Sequence, residues 1–289
     1  MPFEMNQNER SFDAQYAKRE KIETAGGVAD VIDITPPNCK SETPVFFANA
    51  WACPLEVYRP GLEELYNQGR RVIALDSPRR GGAKFATEEE RKAATIRDVL
   101  RHKGLSHLQA ITHSNGGSNL VKAAHDNPGL FDSVIIVAPS GLIGGDSILQ
   151  MTGRYMQQFL GRTESMNRRF PTPAKTEKEV PITALKEGTK YVAANPARAA
   201  KEIWDISSVQ IQDMLKKLHE NGVQVVVMSS VDDPLYPMDR MQKMVKSDMI
   251  TGFVSMVGGH GALGDDPTHF MAAAESQLTA LERKQQKNG

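Results

Sequence analysis

The chain has 289 residues, 40% of them hydrophobic and 24% charged, enough for one sizeable core with an insertion or for two small domains. Lys plus Arg and Asp plus Glu both total 35, so no excess charge points to nucleic acid, an anionic membrane or an acidic partner. Two cysteines, Cys39 and Cys53, make no disulfide framework and, without a Cys/His cluster, no zinc site; neither a metal nor a cofactor is expected.

The first residues, MPFEMNQNERSFDAQ, are polar and of mixed charge, without the apolar core of a signal peptide. No run is long enough to span a bilayer, and a cytoplasmic location is expected. A hairpin-like start (KIETAG, then VADVIDIT) precedes short apolar runs: VFFANA at 45–50, RVIALD at 71–76, LQAITH at 108–113, SVIIVAPS at 133–140, VQVVVMSS at 223–230 and FVSMVG at 253–258. They are short, rich in Val and Ile and almost free of charge, as strands covered on both faces are. Helical patterns lie between them. The one at 87–103 opens on Thr87-Glu88-Glu89-Glu90, a Thr-x-x-Glu capping box, and stops at Gly104. This alternation predicts a mostly parallel sheet with right-handed crossovers, helices on both faces and an antiparallel hairpin at one edge. Chemistry in such sheets sits at the carboxyl ends of the strands.

The alternation breaks between 141 and 207, where no strand pattern occurs. That stretch reads as an inserted helical cap, dividing a core into residues 1–140 and 208–289, with a Pro- and Lys/Glu-rich loop at 171–181. Met151, Met156 and Met166 either pack the cap or line an apolar substrate channel.

The strand LQAITH runs into NGGSNLVKAAHD, so Ser114 sits on a strand-to-helix turn. A nucleophile at such a turn needs small residues two places before and two places after, because the two backbones converge there. Gly116 fits and Thr112 is bulkier than the usual Gly; on this motif alone Ser114 reads equally well as a nucleophile or as a structural turn residue. A serine hydroxyl is a poor nucleophile without a base and a group that orients the base. In VVVMSSVDDPLYP an acid follows a core strand; its spacing to Pro237 favours Asp233 over Asp232. In FVSMVGGHGALGDDPTHF the last strand runs into Gly258-Gly259-His260-Gly261, which makes His260 the base. His113 points away from the reacting face by strand alternation and is expected to pack or to hydrogen-bond the elbow. Asp265 and Asp266 are expected to start the final helix, and Cys53 has no base spaced to activate it.

The chain order Ser114, Asp233, His260, each after a strand, resembles the α/β-hydrolase superfamily from about residue 20 to 282. The resemblance implies an α/β-hydrolase fold: a mostly parallel eight-stranded sheet with helices on both faces and an inserted cap. It further implies a serine hydrolase that cleaves a small-to-medium carboxylic ester through an acyl-enzyme, with a small-molecule ester-type substrate and no cofactor; a homo-oligomer is left open. Two backbone amides are then needed for an oxyanion hole. One is that of Asn115, at the start of the helix; the other comes from the loop after the third strand, where the family usually has His-Gly-x and this chain has Asn49-Ala50-Trp51, so Trp51 is the match. Asn49 and Trp51 are also assigned to substrate binding, the Trp51 ring either walling the acyl pocket or packing. The loss of Gly at position 50 is the main departure from pattern. Asp76-Ser77-Pro78 resembles the start of the family's Asp-x-Pro-Gly turn, whose acid is commonly structural. A serine nucleophile disfavours dehalogenase and epoxide hydrolase chemistry. Carbon–carbon bond hydrolysis, acyl transfer and cofactor-free peroxidation on the same triad remain open, as does a non-catalytic binder of a small ligand.

Overall fold

The apolar runs form one sheet of eight strands: β1 (Glu20–Thr24), β2 (Gly27–Ile34), β3 (Val45–Ala48), β4 (Val72–Asp76), β5 (Leu108–His113), β6 (Phe131–Val137), β7 (Gln224–Ser230) and β8 (Gly252–Met256). Their order across the sheet is β1-β2-β4-β3-β5-β6-β7-β8. The β1–β2 and β2–β4 pairs are antiparallel and the remaining neighbours are parallel, so the hairpin lies at one edge as expected. This is a computed structural model that describes residues 11–78, 82–144, 147, 149–151, 153–154 and 186–288. Met156, Met166 and the 171–181 loop lie outside the described residues.

The strands β3 and β5 at the centre of the sheet are buried at every position. β5 coincides with its apolar run, whereas three strands end before theirs: Asn49-Ala50 after β3, Ala138-Pro139-Ser140 after β6 and Val257-Gly258 after β8 have left the ladder. These are the segments that build the site.

The Glu88–His102 helix begins with the expected capping box, the Glu90 amide donating to Thr87 Oγ1 at 3.1 Å and the Thr87 amide to Glu90 Oε2 at 3.3 Å. It ends before Gly104, whose φ of +64° is costly for residues with a Cβ. The final helix, Pro267–Asn288, is fastened to the sheet by the buried Arg70, which donates to Glu275 and Glu282 on that helix and to Gln109 on β5. Among the described residues no helix is long and apolar enough to cross a membrane.

The described residues of 141–207 are helical at 186–194 and across the Pro196–Ser208 helix, which runs one residue past the expected end of the insertion. The excursion leaves and returns at one point. The Ile211 amide donates to the Gly141 carbonyl at 3.1 Å, and the Gln212 side chain to the Leu142 carbonyl at 2.8 Å. Met151 packs against the core, as the packing reading of the methionines expects.

One carboxylate on the Glu88–His102 helix works against stability. Burial pushes the Glu89 carboxyl up to about 7 from 4.5; Lys122 opposes this shift and Asp205 adds to it. Its Oε1 is buried without a hydrogen-bond partner. Since the folded value exceeds the unfolded one, the folded chain holds the proton more tightly, and stability is lost as pH rises from about 4.5 to about 7 and stays lost above it. Glu89→Gln is therefore expected to stabilise the protein by about 2 kcal/mol at pH 8 and by little at pH 4. Urea denaturation at both pH values checks this, and an equal gain at the two would contradict it.

Candidate active site

The turn after β5 is strained. Ser114 has φ +52° and ψ −122°, a conformation that costs a non-glycine residue roughly 1–3 kcal/mol and persists only where its surroundings enforce it. Here the Ser114 amide donates to the Val137 carbonyl of β6 at 2.9 Å, and its carbonyl accepts from the Gly117 amide at 2.9 Å. The Asn115–Asp126 helix starts at the next residue. A Cβ at position 116 would stand 2.4 Å from the Ala48 carbonyl oxygen, so the end of β3 crosses this turn at a distance only glycine allows. At position 117 a Cβ would meet Ile136 Cγ2 at 2.7 Å and Thr112 Oγ1 at 3.2 Å. Gly117 thus makes the room that the bulkier Thr112 needs.

The acid and the base arrive on separate loops. Asp233, after β7, is buried; its Oδ1 accepts from the Leu235 and Tyr236 amides at 2.8 and 3.0 Å. Its Oδ2 lies 2.9 Å from His260 Nδ1, and His260 Nε2 lies 3.0 Å from Ser114 Oγ. A carboxylate only accepts, which puts the imidazole proton on Nδ1 and leaves Nε2 as the acceptor facing the serine. That is the tautomer a general base requires. The neighbouring Asp232 is exposed, and its amide donates to the Gly258 carbonyl at 3.0 Å, joining the acid loop to the histidine loop. Tyr236 stands edge-on to the His260 ring at 5.2 Å between centroids.

His113 does more than pack. Its Nε2 lies 2.9 Å from the His260 carbonyl oxygen and must donate to it, so in the neutral ring Nδ1 accepts from the Tyr58 hydroxyl at 2.7 Å. The same hydroxyl accepts the Ala50 amide at 3.2 Å. The hydrogen bond expected within the elbow reaches instead to the histidine loop, and through Tyr58 to the loop after β3. Nothing in the sequence marks Tyr58 for this role; it comes from the Leu55–Asn67 helix.

That β3 loop is tightly tied. Asn49 donates from its side chain to the Cys53 carbonyl at 2.6 Å and to Asp76 Oδ1 at 3.2 Å, and Asp76 Oδ1 also accepts the Leu55 amide at 3.0 Å. Asp76 is thus the structural acid expected from its turn motif. The residue of the loop in the left-handed region is Ala52, φ +55°, and not Ala50, so the alanine at position 50 brings no strain of that kind. The Trp51 indole donates to Glu202 Oε2 at 2.7 Å and meets the Tyr191 ring edge-on at 6.2 Å. Trp51 and Asn49 line a small polar cavity of about 40 Å³ together with Lys92, Asn115, Asn119 and Tyr191.

The structure therefore brings Ser114, Asp233 and His260 into one hydrogen-bonded line. Asn115 and the Asn49-Ala50-Trp51 loop flank it at the carboxyl edge of the sheet. Sequence reasoning missed Tyr58, Lys92 and Glu202. The expectation for the final helix is also corrected: Asp265 ends a short helix, Ala262–Asp265, and only Asp266 opens the final one, its Oδ1 accepting the His269 amide at 3.4 Å. The break lies at Pro267, which cannot donate to a preceding turn.

No protein-family profile and no curated protein sequence matches the chain. Solved structures do. A thermophilic esterase from Thermogutta terrifontis is similar at 20% identity over 91% of this chain and 98% of that one, with a TM-score of 0.65. An esterase from Exiguobacterium antarcticum is similar at 16% identity over 91% of this chain and 100% of that one, TM-score 0.68. A bromoperoxidase from Bacillus anthracis is similar at 13% identity over 91% and 100%, TM-score 0.66. At these identities the likeness concerns fold, and it agrees with the strand order and pairing described above: the chain has the α/β-hydrolase fold.

Proposed function

We propose that this protein is a serine hydrolase that cleaves a small-to-medium carboxylic ester through an acyl-enzyme. The observation that carries the proposal is the Asp233–His260–Ser114 line, 2.9 and 3.0 Å between heavy atoms, ending on a strained elbow. As Ser114 Oγ attacks the ester carbonyl, His260 Nε2 takes its proton, and Asp233 Oδ2 holds the resulting imidazolium in place. The Asn115 amide, at the positive end of its helix, and the Trp51 amide hold the tetrahedral oxyanion; each such donor is worth roughly two to three powers of ten in rate. His260 then returns the proton to the leaving alcohol. Water, deprotonated by His260, attacks the acyl-enzyme and releases the acid. The insertion between β6 and β7, of which the described part includes the Pro196–Ser208 helix, is read here as a cap, which suits a small ester better than a polymer. Esterases among the structures of similar fold support the same reading.

A series of p-nitrophenyl esters from acetate to decanoate tests it. The expected result is turnover of the shorter members, with kcat/KM falling towards the longest. Cleavage of a ring-fission diketone with no ester turned over would move the assignment to carbon–carbon bond hydrolysis, and acyl transfer to hydrogen peroxide in preference to water would move it to peroxidation.

A further inference from the structure

The two residues whose amides form the proposed oxyanion hole are both tied to one carboxylate that belongs to neither loop. Glu202 lies on the Pro196–Ser208 helix, within the segment between β6 and β7, and is 1% exposed. Its Oε2 accepts the Trp51 indole N–H at 2.7 Å. Its Oε1 lies 3.0 Å from Lys92 Nζ, and that ammonium donates to the Asn115 side-chain oxygen at 3.2 Å. Tyr191 donates to the same carboxylate, at 2.6 Å to Oε1. Burial pushes the Glu202 carboxyl up, but Lys92 and the bonds from Tyr191 and Trp51 outweigh it and hold the group below the usual carboxylate range.

A charge this deeply buried is costly unless fully satisfied, and apolar side chains of similar volume would pack a helix onto the core at least as well. What a carboxylate adds is direction. It fixes the Trp51 indole, and through Lys92 the Asn115 amide group, at set angles and distances. The helix carrying it is seated independently: Asp205 Oδ2, one turn further along, accepts the Glu88 amide at 2.7 Å. The loop has Ala50 where the resemblance leads one to expect Gly, and it offers at position 51 a large side chain that can be held from outside.

We infer that Glu202 is a positioning residue for the oxyanion hole: the Glu202–Lys92 pair aims the Trp51 and Asn115 backbone amides, and the seating of the Pro196–Ser208 helix is thereby coupled to catalytic competence. The inference rests on the serine hydrolase reading. It also assigns the tryptophans different exposures, since Trp51 is bonded to Glu202 while Trp204 is 62% exposed.

The test compares wild type with Glu202→Gln, which keeps the size and one acceptor but loses the charge, and with Glu202→Leu. Three readouts are taken on an accepted p-nitrophenyl ester and its inhibitors: kcat and KM, the affinity of a trifluoromethyl ketone that forms a tetrahedral adduct with Ser114, and the hydrogen exchange of the Trp51 indole N–H. Expected for Glu202→Gln are a 10- to 100-fold fall in kcat, a change of less than threefold in KM, and a loss of ketone affinity that tracks kcat/KM. Trp51 exchange is expected to rise towards that of Trp204. Glu202→Leu is expected to lose more; if it does not fold, Glu202→Gln carries the comparison alone. A Glu202→Gln variant with wild-type kcat and ketone affinity, measured on an enzyme whose turnover is abolished by Ser114→Ala, overturns the positioning role and leaves the hydrolase reading standing. Wild-type protein that shows no turnover dependent on Ser114 overturns both.

Discussion

Ser114→Ala and His260→Ala are each expected to lower kcat on an accepted ester by about four to six powers of ten, with the double variant no worse than either alone. The reason lies in the line of contacts. Without the hydroxyl there is no nucleophile at the elbow, and without the imidazole the hydroxyl 3.0 Å from Nε2 has no base, so removing either group removes the same step. Neither change touches the bonds that fix the turn, which run from the Ser114 backbone to Val137 and Gly117. Circular dichroism and the denaturation midpoint are expected to stay close to wild type while turnover collapses. Losses that multiply in the double variant would mean that the two residues act in different steps.

Asp233→Asn is expected to cost about four powers of ten, a loss comparable to that of the equivalent change in a serine protease triad. The direction of the new amide follows from the structure. Asp233 Oδ1 accepts from the Leu235 and Tyr236 amides, so the carbonyl oxygen of an asparagine is held on that side and its NH2 is turned towards His260 Nδ1. Two donors then face each other unless the imidazole proton moves to Nε2, where it opposes the serine hydroxyl. Asp232→Asn is expected to change kcat less than threefold, because Asp232 is exposed and the contact to His260 Nδ1 is made by Asp233. A larger loss at position 232 than at 233 would reverse the assignment of the acid.

The sheet and the Asp233–His260–Ser114 line were legible in the sequence for a simple reason. Strands buried on both faces have almost no choice of composition, and loops that follow them at the carboxyl edge carry the polar residues that stand out against it. Asp233 could be preferred to Asp232 because Pro237 marks where the following helix, Met238–Met244, begins. Strand ends were less legible, since Ala138-Pro139 and Val257-Gly258 are as apolar as the strands they leave. The elbow pattern looked half met at Thr112 because a motif records one position at a time, whereas the space Thr112 needs is made by Gly117, on the helix facing it. Position 50 misled in the same way, as the loop takes its left-handed residue at Ala52. Glu202 was out of reach altogether. It lies 151 residues from Trp51 in a stretch that the sequence marks only as part of a helical insertion, and only the fold shows that its carboxylate is buried against the indole.

If Ser114 is a nucleophile activated by His260, it reacts with electrophiles that other serines ignore. Incubation of the folded protein with a serine-directed fluorophosphonate, followed by peptide mapping, tests it most directly. The expected result is a single adduct on the peptide containing Ser114, formed by wild-type protein and not by His260→Ala over the same interval. Folded wild-type protein that carries no adduct on Ser114 would contradict it.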